Sequence, residues 1–140
     1  MTLETVVQTA LTVAAATGGI YTHEDTGRNG INRTTTPAAF DTNGIIKPTI
    51  LIRVRSEVNT YDLVGNVAST RAVLEVWFYS SDSYTTTSIM RSSVFGQLHN
   101  KQLSGTFQVI WNWDVQEARD ESIDALVERS EYWAYIKKGS

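Results

Sequence analysis

Only two residues of the chain, His23 and His99, carry imidazole side chains that can exchange protons near neutral pH. His23 lies in the segment 22-THEDTGRN-29, where a histidine and two carboxylates are adjacent. These are side-chain types of metal and acid–base sites. Adjacent side chains of an extended segment point in opposite directions, so they converge only where a specific turn brings them together. We therefore expect a solvated loop, and the alternative is a ligand site whose polar groups include His23 and Asp25.

His99 follows a helical pattern and lies where that helix is expected to end. An imidazolium there interacts favourably with the helix dipole, so we favour a capping role over catalysis. None of the nine glycines belongs to a G-x-G-x-x-G or Walker pattern, and the chain has no cysteine for a disulfide, a thiolate zinc site or thiol catalysis. We therefore predict no catalytic, cofactor-binding or metal-binding residues, and a protein that is not an enzyme.

Aromatic residues alternate along 107-FQVIWNWD-114, so a regular strand places Phe107, Trp111 and Trp113 on one face. Such a row can stack nucleic-acid bases, but proteins that bind single strands combine it with a basic groove. Here the net charge is −3 and the residues that follow are acidic. A nucleic-acid-binding module is therefore a disfavoured alternative.

The segment from Asp114 to Glu131 contains seven carboxylates and two arginines, a local charge of −5. A solvated loop and strand edge is the plain explanation, because exposed charge is common on protein surfaces. The alternative is a repulsive lining that faces DNA and lets it pass without binding.

The segment 71-RAVLEVWFYS-80 predicts a strand that is bulky on both sides. One face carries Ala72, Leu74, Val76 and Phe78, which is an ordinary core face. The other face combines charges with two large aromatic side chains, and it includes Arg71, Trp77 and Tyr79. Aromatic residues and arginine are favoured at protein interfaces, so we predict that these three residues contact a neighbouring subunit. The alternative is that the chain's own long loop covers them.

The remaining pattern predicts the elements around this strand. Apolar spacing from Leu3 to Ala14 indicates a helix that Gly18-Gly19 ends, and a polar connection follows over residues 18–48. We expect this connection to be weakly packed, above all from Thr26 to Asn43. Strands are then expected at 50–55, 69–79, 107–114 and 126–136, with a second helix running to about His99. The predicted fold class is α+β, an antiparallel four-stranded sheet with two helices packed on one face and a long loop insertion after the first helix.

Composition is consistent with one folded domain over residues 1–140. Hydrophobic residues make up 41% of the chain and charged residues 19%, which is the balance of a globular protein. No apolar run reaches the ~18 residues that a membrane span needs, and the N-terminus lacks the pattern of a signal peptide. We therefore expect a soluble intracellular product that has no membrane partner.

Four segments together resemble a known family. They are "ILIRVRSE", "TRAVLEVWFYSSDSYTTTSIMRSSVFGQLHNKQL", "FQVIWNWD" and "ALVERSEYWAYIKK". In their order they are similar to the tail terminator and tail-completion proteins of long-tailed bacteriophages. The most specific part runs from Thr70 to Leu103, where an alternating strand breaks at Ser-Asp and passes into a helix that ends in a Leu-His step. The chain departs from many members in its long 18–48 insertion and in Asn100, where a glycine is common.

The resemblance implies a structural protein of the virion that is assembled in the host cytoplasm. Subunits of that family form a ring, usually hexameric, that closes the head-proximal end of the tail tube. The implied partners are other copies of the chain, the major tail tube protein and a head-completion or connector protein, with passive contact to the double-stranded DNA that passes through. In such a ring the channel-facing candidates are Asp114, Glu117, Asp120, Glu121 and Asp124. The other alternative is a small-ligand-binding domain or enzyme that uses the 18–48 loop as a lid.

Overall fold

A computed structural model describes residues 2–61, 67–81, 83–103 and 107–137. These residues form two α-helices and one sheet. The helices are α1 (Leu3–Ala10) and α2 (Tyr84–Leu98), and Pro37–Ala39 forms a short 3-10 helix. The strands within these residues are β1 (Ile20–Thr22), β2 (Thr49–Tyr61), β3 (Val67–Ser80), β4 (Lys101–Leu103), β5 (Phe107–Asp120) and β6 (Ala125–Lys137).

A mixed sheet joins the six described strands in the order β1-β2-β3-β6-β5-β4. β1 runs parallel to β2, and the other neighbouring pairs are antiparallel. The predicted α+β fold with an antiparallel four-stranded sheet was therefore wrong, because the described part of the chain is mostly β. The four long strands nevertheless include the segments that the apolar alternation marked. The two additional strands have three residues each, which is too short for an alternation of side chains to be recognised.

The first helix ends earlier than its apolar spacing predicts. α1 ends at Ala10, and the side-chain amide of Gln97 in α2 then bonds the backbone of Thr12 in both directions. The Thr12 amide donates to Oε1 and Nε2 donates to the Thr12 carbonyl, each at 2.8 Å. These two bonds satisfy backbone groups that another helical turn would have used.

Gly18 permits a close approach between two backbones instead of ending the helix. A Cβ at this position would overlap the hydroxyl oxygen of Thr49 and lie 3.0 Å from the carbonyl oxygen of Pro48. The Gly18 amide donates to that same carbonyl at 2.8 Å. The approach starts the parallel pairing of β1 with β2, in which Ile20 lies opposite Ile50.

Both helices pack on one face of the sheet, here called the helix face. The apolar rows of β2 and β3 supply its buried floor, as their alternation predicted. Side chains from both helices complete this core, which includes Leu3, Val7, Ile50, Ile52, Leu74, Val76, Phe78, Met90, Val94, Leu98 and Tyr132.

The connection 18–48 covers part of the opposite face, here called the loop face. A second apolar cluster joins the loop to the ends of β2, β3 and β6, and it includes Ile31, Ala39, Phe40, Ile46, Leu51, Tyr79 and Val127. Phe40 and Ile46 also form an isolated antiparallel bridge. The Lys47 amide donates to the Ala39 carbonyl at 2.8 Å. The expectation that this connection is weakly packed was therefore wrong.

A bulge in β5 separates the two tryptophans that the alternation placed together. The register shifts between Trp111 and Trp113, which lie opposite Tyr132 and Glu131 of β6, respectively. Successive residues of β6 point to opposite faces. Trp111 therefore lies on the helix face and Trp113 on the loop face, and the predicted same-face aromatic row was wrong.

Replacing Phe40 with alanine tests whether the loop is part of the folded domain. We expect Phe40→Ala to lower the free energy of unfolding by about 3 kcal/mol, because it removes a buried aromatic side chain from the second cluster. Ile45→Ala is the matched control in the same loop, since Ile45 is half exposed, and should change stability by about 0.5 kcal/mol or less. Chemical denaturation measures both, and equal losses would contradict the packing described above.

Candidate functional site

The three predicted interface residues are covered to different degrees within the subunit. Tyr79 is only 7% exposed and packs in the cluster under the loop. Trp77 is half buried beneath Arg129, whose guanidinium carbon lies 5.1 Å from the ring centroid. Arg71 stacks over Trp133 at 4.1 Å. The loop therefore covers Tyr79, while the side chains of Trp77 and Arg71 stay partly accessible.

An ionic layer on the loop face holds two buried carboxylates. Glu75 and Glu131 lie directly opposite each other in β3 and β6, and both are almost completely buried. Arg55 reaches both of them, with nitrogen–oxygen distances of 3.6 Å to Glu75 and 3.1 Å to Glu131. Arg129 lies 3.6 Å from Glu75, and the indole nitrogen of Trp113 donates to Glu131. These cations and donors offset the repulsion between two carboxylates that share one site.

An exposed aromatic patch lies on the helix face where α2 meets β5, and we define it as Phe95, His99 and Trp111. The ring of Phe95 stacks on His99 with centroids 4.8 Å apart and meets Trp111 edge-on at 6.0 Å. Phe95 is 41% exposed and Trp111 37% exposed. Aromatic side chains that stay accessible in this way are common anchors of protein interfaces.

His99 is the C-cap residue of α2, as predicted, and its backbone amide donates to the Phe95 carbonyl at 2.9 Å. Its side chain accepts a further hydrogen bond. The backbone amide of Trp111 donates to its Nδ1 at 3.0 Å, so this nitrogen carries no proton in the bond. β4 pairs only with Phe107–Val109 of β5. Among the described residues, the next part of β5 therefore forms a sheet edge, and His99 satisfies one of its amides beside the patch.

The predicted channel-facing carboxylates are dispersed. Asp114 lies on the helix face, where it accepts hydrogen bonds from Trp111 Nε1 at 3.0 Å and from Ser130 Oγ at 2.7 Å. Asp120, Glu121 and Asp124 lie at the turn between β5 and β6.

Within that turn the carboxylates have different surroundings. Asp124 pairs with Arg119, and Asp120 accepts hydrogen bonds from the backbone and hydroxyl of Ser122. Glu121 is exposed. The side chain of Glu117 lies outside the described part. Three of the five predicted carboxylates therefore lie in one acidic turn, and Asp114 lies apart from them.

His23 and Asp25 have separate surroundings. Asp25 accepts hydrogen bonds from Thr22 N at 3.0 Å and Gln8 Nε2 at 2.9 Å, and the bond from the Thr22 backbone lowers the pKa of this carboxyl. Asp25 therefore ties the start of the loop to α1.

His23 lines a cleft of about 340 Å³ between the loop and the sheet. We call it the loop cleft, and its lining includes His23, Arg28, Asn29, Arg53, Trp77 and Asp120. The pairing of His23 with Asp25 as one polar site was wrong, since only His23 belongs to this lining.

Among the described residues, no group of three or more histidine, aspartate or glutamate side chains is placed to hold a metal ion. No described helix is long and apolar enough to cross a membrane.

The aromatic patch was not identified from the sequence. Phe95 belongs to α2, whose buried residues are Thr87, Met90, Val94 and Leu98. Counting this three- and four-residue spacing would have placed Phe95 off the buried stripe, so a signal for the aromatic patch existed. The loop cleft lies between the 18–48 connection and the sheet, where the lid alternative placed a site, but most of its lining comes from segments that are distant in the chain.

Comparison with known proteins identifies the fold. The chain is similar to a protein chain in the virion of a native gene transfer agent particle, with a TM-score of 0.59 and 12% sequence identity. The match covers 96% of this chain and 94% of that chain. No protein-family model matches the sequence, and no curated protein matches it. The shared fold therefore extends over nearly the full length of both chains.

Because two tyrosines are buried, we predict that the free energy of unfolding falls in alkaline solution. Burial, followed by the charge of Asp120 for Tyr79 and of Asp114 for Tyr132, raises the pKa of both phenols above their ordinary value of 10.0. Above about pH 10 the unfolded chain releases protons that the folded chain retains, so the free energy of unfolding falls as pH rises.

Denaturation curves between about pH 9 and 12 check this expectation through the slope of stability against pH. Tyr79→Phe and Tyr132→Phe should each make the slope shallower. Tyr135→Phe, a half-buried tyrosine of the same strand as Tyr132, controls for the loss of a hydroxyl. Unchanged slopes in both test variants would rule out the proposed cause.

Proposed function

We propose that this chain is a structural virion protein that forms a ring at the head-proximal end of a tail tube and joins the tube to the head connector. The observation that carries the proposal is the fold shared with a chain of a gene transfer agent virion over 96% of this chain and 94% of that one. The order of sequence segments, which resembles the tail terminator family, supports the same location. The proposal assigns no reaction to the protein.

The aromatic patch supports assembly into a ring. Phe95 and Trp111 expose apolar rings beside Arg91 and Asp114, which form an ion pair at 3.5 Å. An aromatic centre with a charged rim is the usual composition of an interface. Subunits that contact one another through two different surfaces close into a ring when the rotation between them completes a circle. We propose that the patch forms one of these two surfaces, most simply in a ring of six copies.

The acidic turn supports a passive channel for double-stranded DNA. Glu121 is exposed, and Asp120 and Asp124 lie within the same turn. Like charge repels phosphate over about 8 Å at physiological salt, which favours passage over binding. We therefore propose that the β5–β6 turn faces the channel or its rim. The tail tube protein and the connector protein are the proposed partners above and below the ring.

Replacing the two exposed rings of the patch should weaken assembly without unfolding the subunit. We expect the double variant Phe95→Ser and Trp111→Ser to shift the ring toward monomers by at least about tenfold in concentration, because aromatic anchors dominate many interfaces. Light scattering after size-exclusion chromatography measures the mass.

The control is Ile89→Ser. Ile89 is 55% exposed on the same helix, but it lies six residues from Phe95 and hence about 120° away around the helix axis. A ring that is equally stable in the double variant and in the control would exclude the patch from the interface.

Deleting the gene in a host that produces the particles tests the proposed location. Electron micrographs should show DNA-filled heads separate from tails. The tubes should vary in length, because an uncapped end continues to offer the surface to which the next subunit adds. The native gene should restore joined particles, and the gene with both patch substitutions should not. Intact particles in the deletion strain would show that the protein acts elsewhere.

A further inference from the structure

The loop cleft is lined by more positively charged side chains than negatively charged ones. Arg28 and Asn29 come from the 18–48 connection, and Arg53 and Trp77 come from β2 and β3. Asp120 supplies the one carboxylate among the described lining residues. The cavity of about 340 Å³ lies near the lower end of the roughly 300–1,000 Å³ range of ligand pockets.

Two cations of the cleft are available to a ligand. Among the described side chains, the guanidinium of Arg53 forms no ion pair or hydrogen bond, and Arg53 is exposed. Arg28 pairs with Glu24 at 2.6 Å, but both side chains are largely exposed. Such surface pairs contribute little and can exchange partners at small cost.

Two polar atoms of the lining lack partners within the described structure. The indole Nε1 of Trp77 and the imidazole Nδ1 of His23 are both buried, and neither has a hydrogen bond. An indole nitrogen is a donor only, so it needs an acceptor. Buried polar atoms without a partner are uncommon in folded proteins, and a ligand or a water molecule can supply the missing partner.

The loop backbone holds Arg28 in a conformation that arginine rarely adopts. Its φ is 65°, in the left-handed region, with Gly27 at 62° before it and Gly30 at 79° after it. The Arg28 amide donates to the carbonyl of His23 at 3.0 Å and keeps this turn closed. Residues keep such backbone conformations mainly where the surrounding structure holds them in place.

We propose that the loop cleft binds the carboxylate of an acidic peptide segment from a partner protein. Guanidinium and indole donors match a carboxylate in charge and in hydrogen bonding. Inorganic phosphate fits less well, because it offers no amide N–H to Asp120, which lies in the same cleft. Peptide amides beside the carboxylate are donors, and Asp120 can accept from them. The proposal does not depend on the virion role, since the isolated chain contains the whole cleft.

Titration of the purified protein with a capped Gly-Glu-Asp-Gly peptide tests the proposal. Nuclear magnetic resonance follows the indole N–H signal of Trp77, and calorimetry gives the dissociation constant. The matched neutral peptide, Gly-Gln-Asn-Gly, should bind at least about tenfold more weakly, because it forms no charge-assisted hydrogen bonds with the guanidinium groups. Succinate and inorganic phosphate are titrated separately to distinguish a small anion from a peptide.

Two substitutions in the cleft should weaken binding of the acidic peptide. Arg53→Gln removes the unpaired cation and should raise the dissociation constant about tenfold. Trp77→Phe keeps an aromatic ring but removes the Nε1 donor, and should raise the constant by a smaller factor. Lys47→Gln is the control, since it removes one positive charge from the same connection outside the cleft lining. Melting curves confirm that all variants fold.

Three results would overturn the proposal. The first is equal affinity for the acidic and neutral peptides. The second is an unchanged constant in Arg53→Gln, or the same loss in Lys47→Gln, which would indicate nonspecific attraction. The third is binding of succinate or phosphate without binding of the peptide, which would make the cleft a site for a small anion.

Discussion

The buried carboxylates of Glu75 and Glu131 impose the constraint on which the loop face depends. They lie opposite each other in neighbouring strands, where like charges repel, and they are almost inaccessible to water. Removing one partner of a buried charge costs about 3–5 kcal/mol, so the cations must stay in place. Arg55 and Arg129 supply these cations, and Arg129 then covers the ring of Trp77. Arg129 therefore both compensates the charge of Glu75 and packs on the ring of Trp77.

The same arrangement explains why β3 is bulky on both sides. Its apolar row forms the floor under the two helices, and its mixed row carries Glu75, Trp77 and Tyr79. The ionic layer covers the middle of the mixed row, and the 18–48 connection covers the end that includes Tyr79. A sheet covered on both faces by its own chain leaves fewer surfaces for partners. The aromatic patch, the acidic turn and the loop cleft are the surfaces that we propose for partners.

The long elements were predictable because burial imposes regular spacing. Ile50 and Ile52 are fully buried and Leu51 packs on the opposite face, as alternation requires. The elements that the sequence did not predict depend on single contacts between distant residues. Gln97 bonds the backbone of Thr12 after α1, and Gly18 brings the chain against Thr49. No periodic pattern encodes either contact.

The candidate site was only partly predictable for the same reason. Arg71, Trp77 and Tyr79 were recognised as side chains that something covers. For Tyr79, the choice between a neighbour and the chain's own loop required the packing of Phe40 and Ile46. The bulge after Trp111 moves Trp113 to the other face and removes the base-stacking row. His23 joins Arg53 in the cleft only through the folding of the connection.

Electron cryo-microscopy of the intact particle tests the central claim, that the chain forms a ring between tail tube and head. We expect a closed ring of density at that joint, into which this fold fits with Phe95 and Trp111 at the contact between neighbouring copies. The acidic turn should point toward the channel axis. Density for this chain at another position in the particle, or its absence from purified particles, would contradict the account.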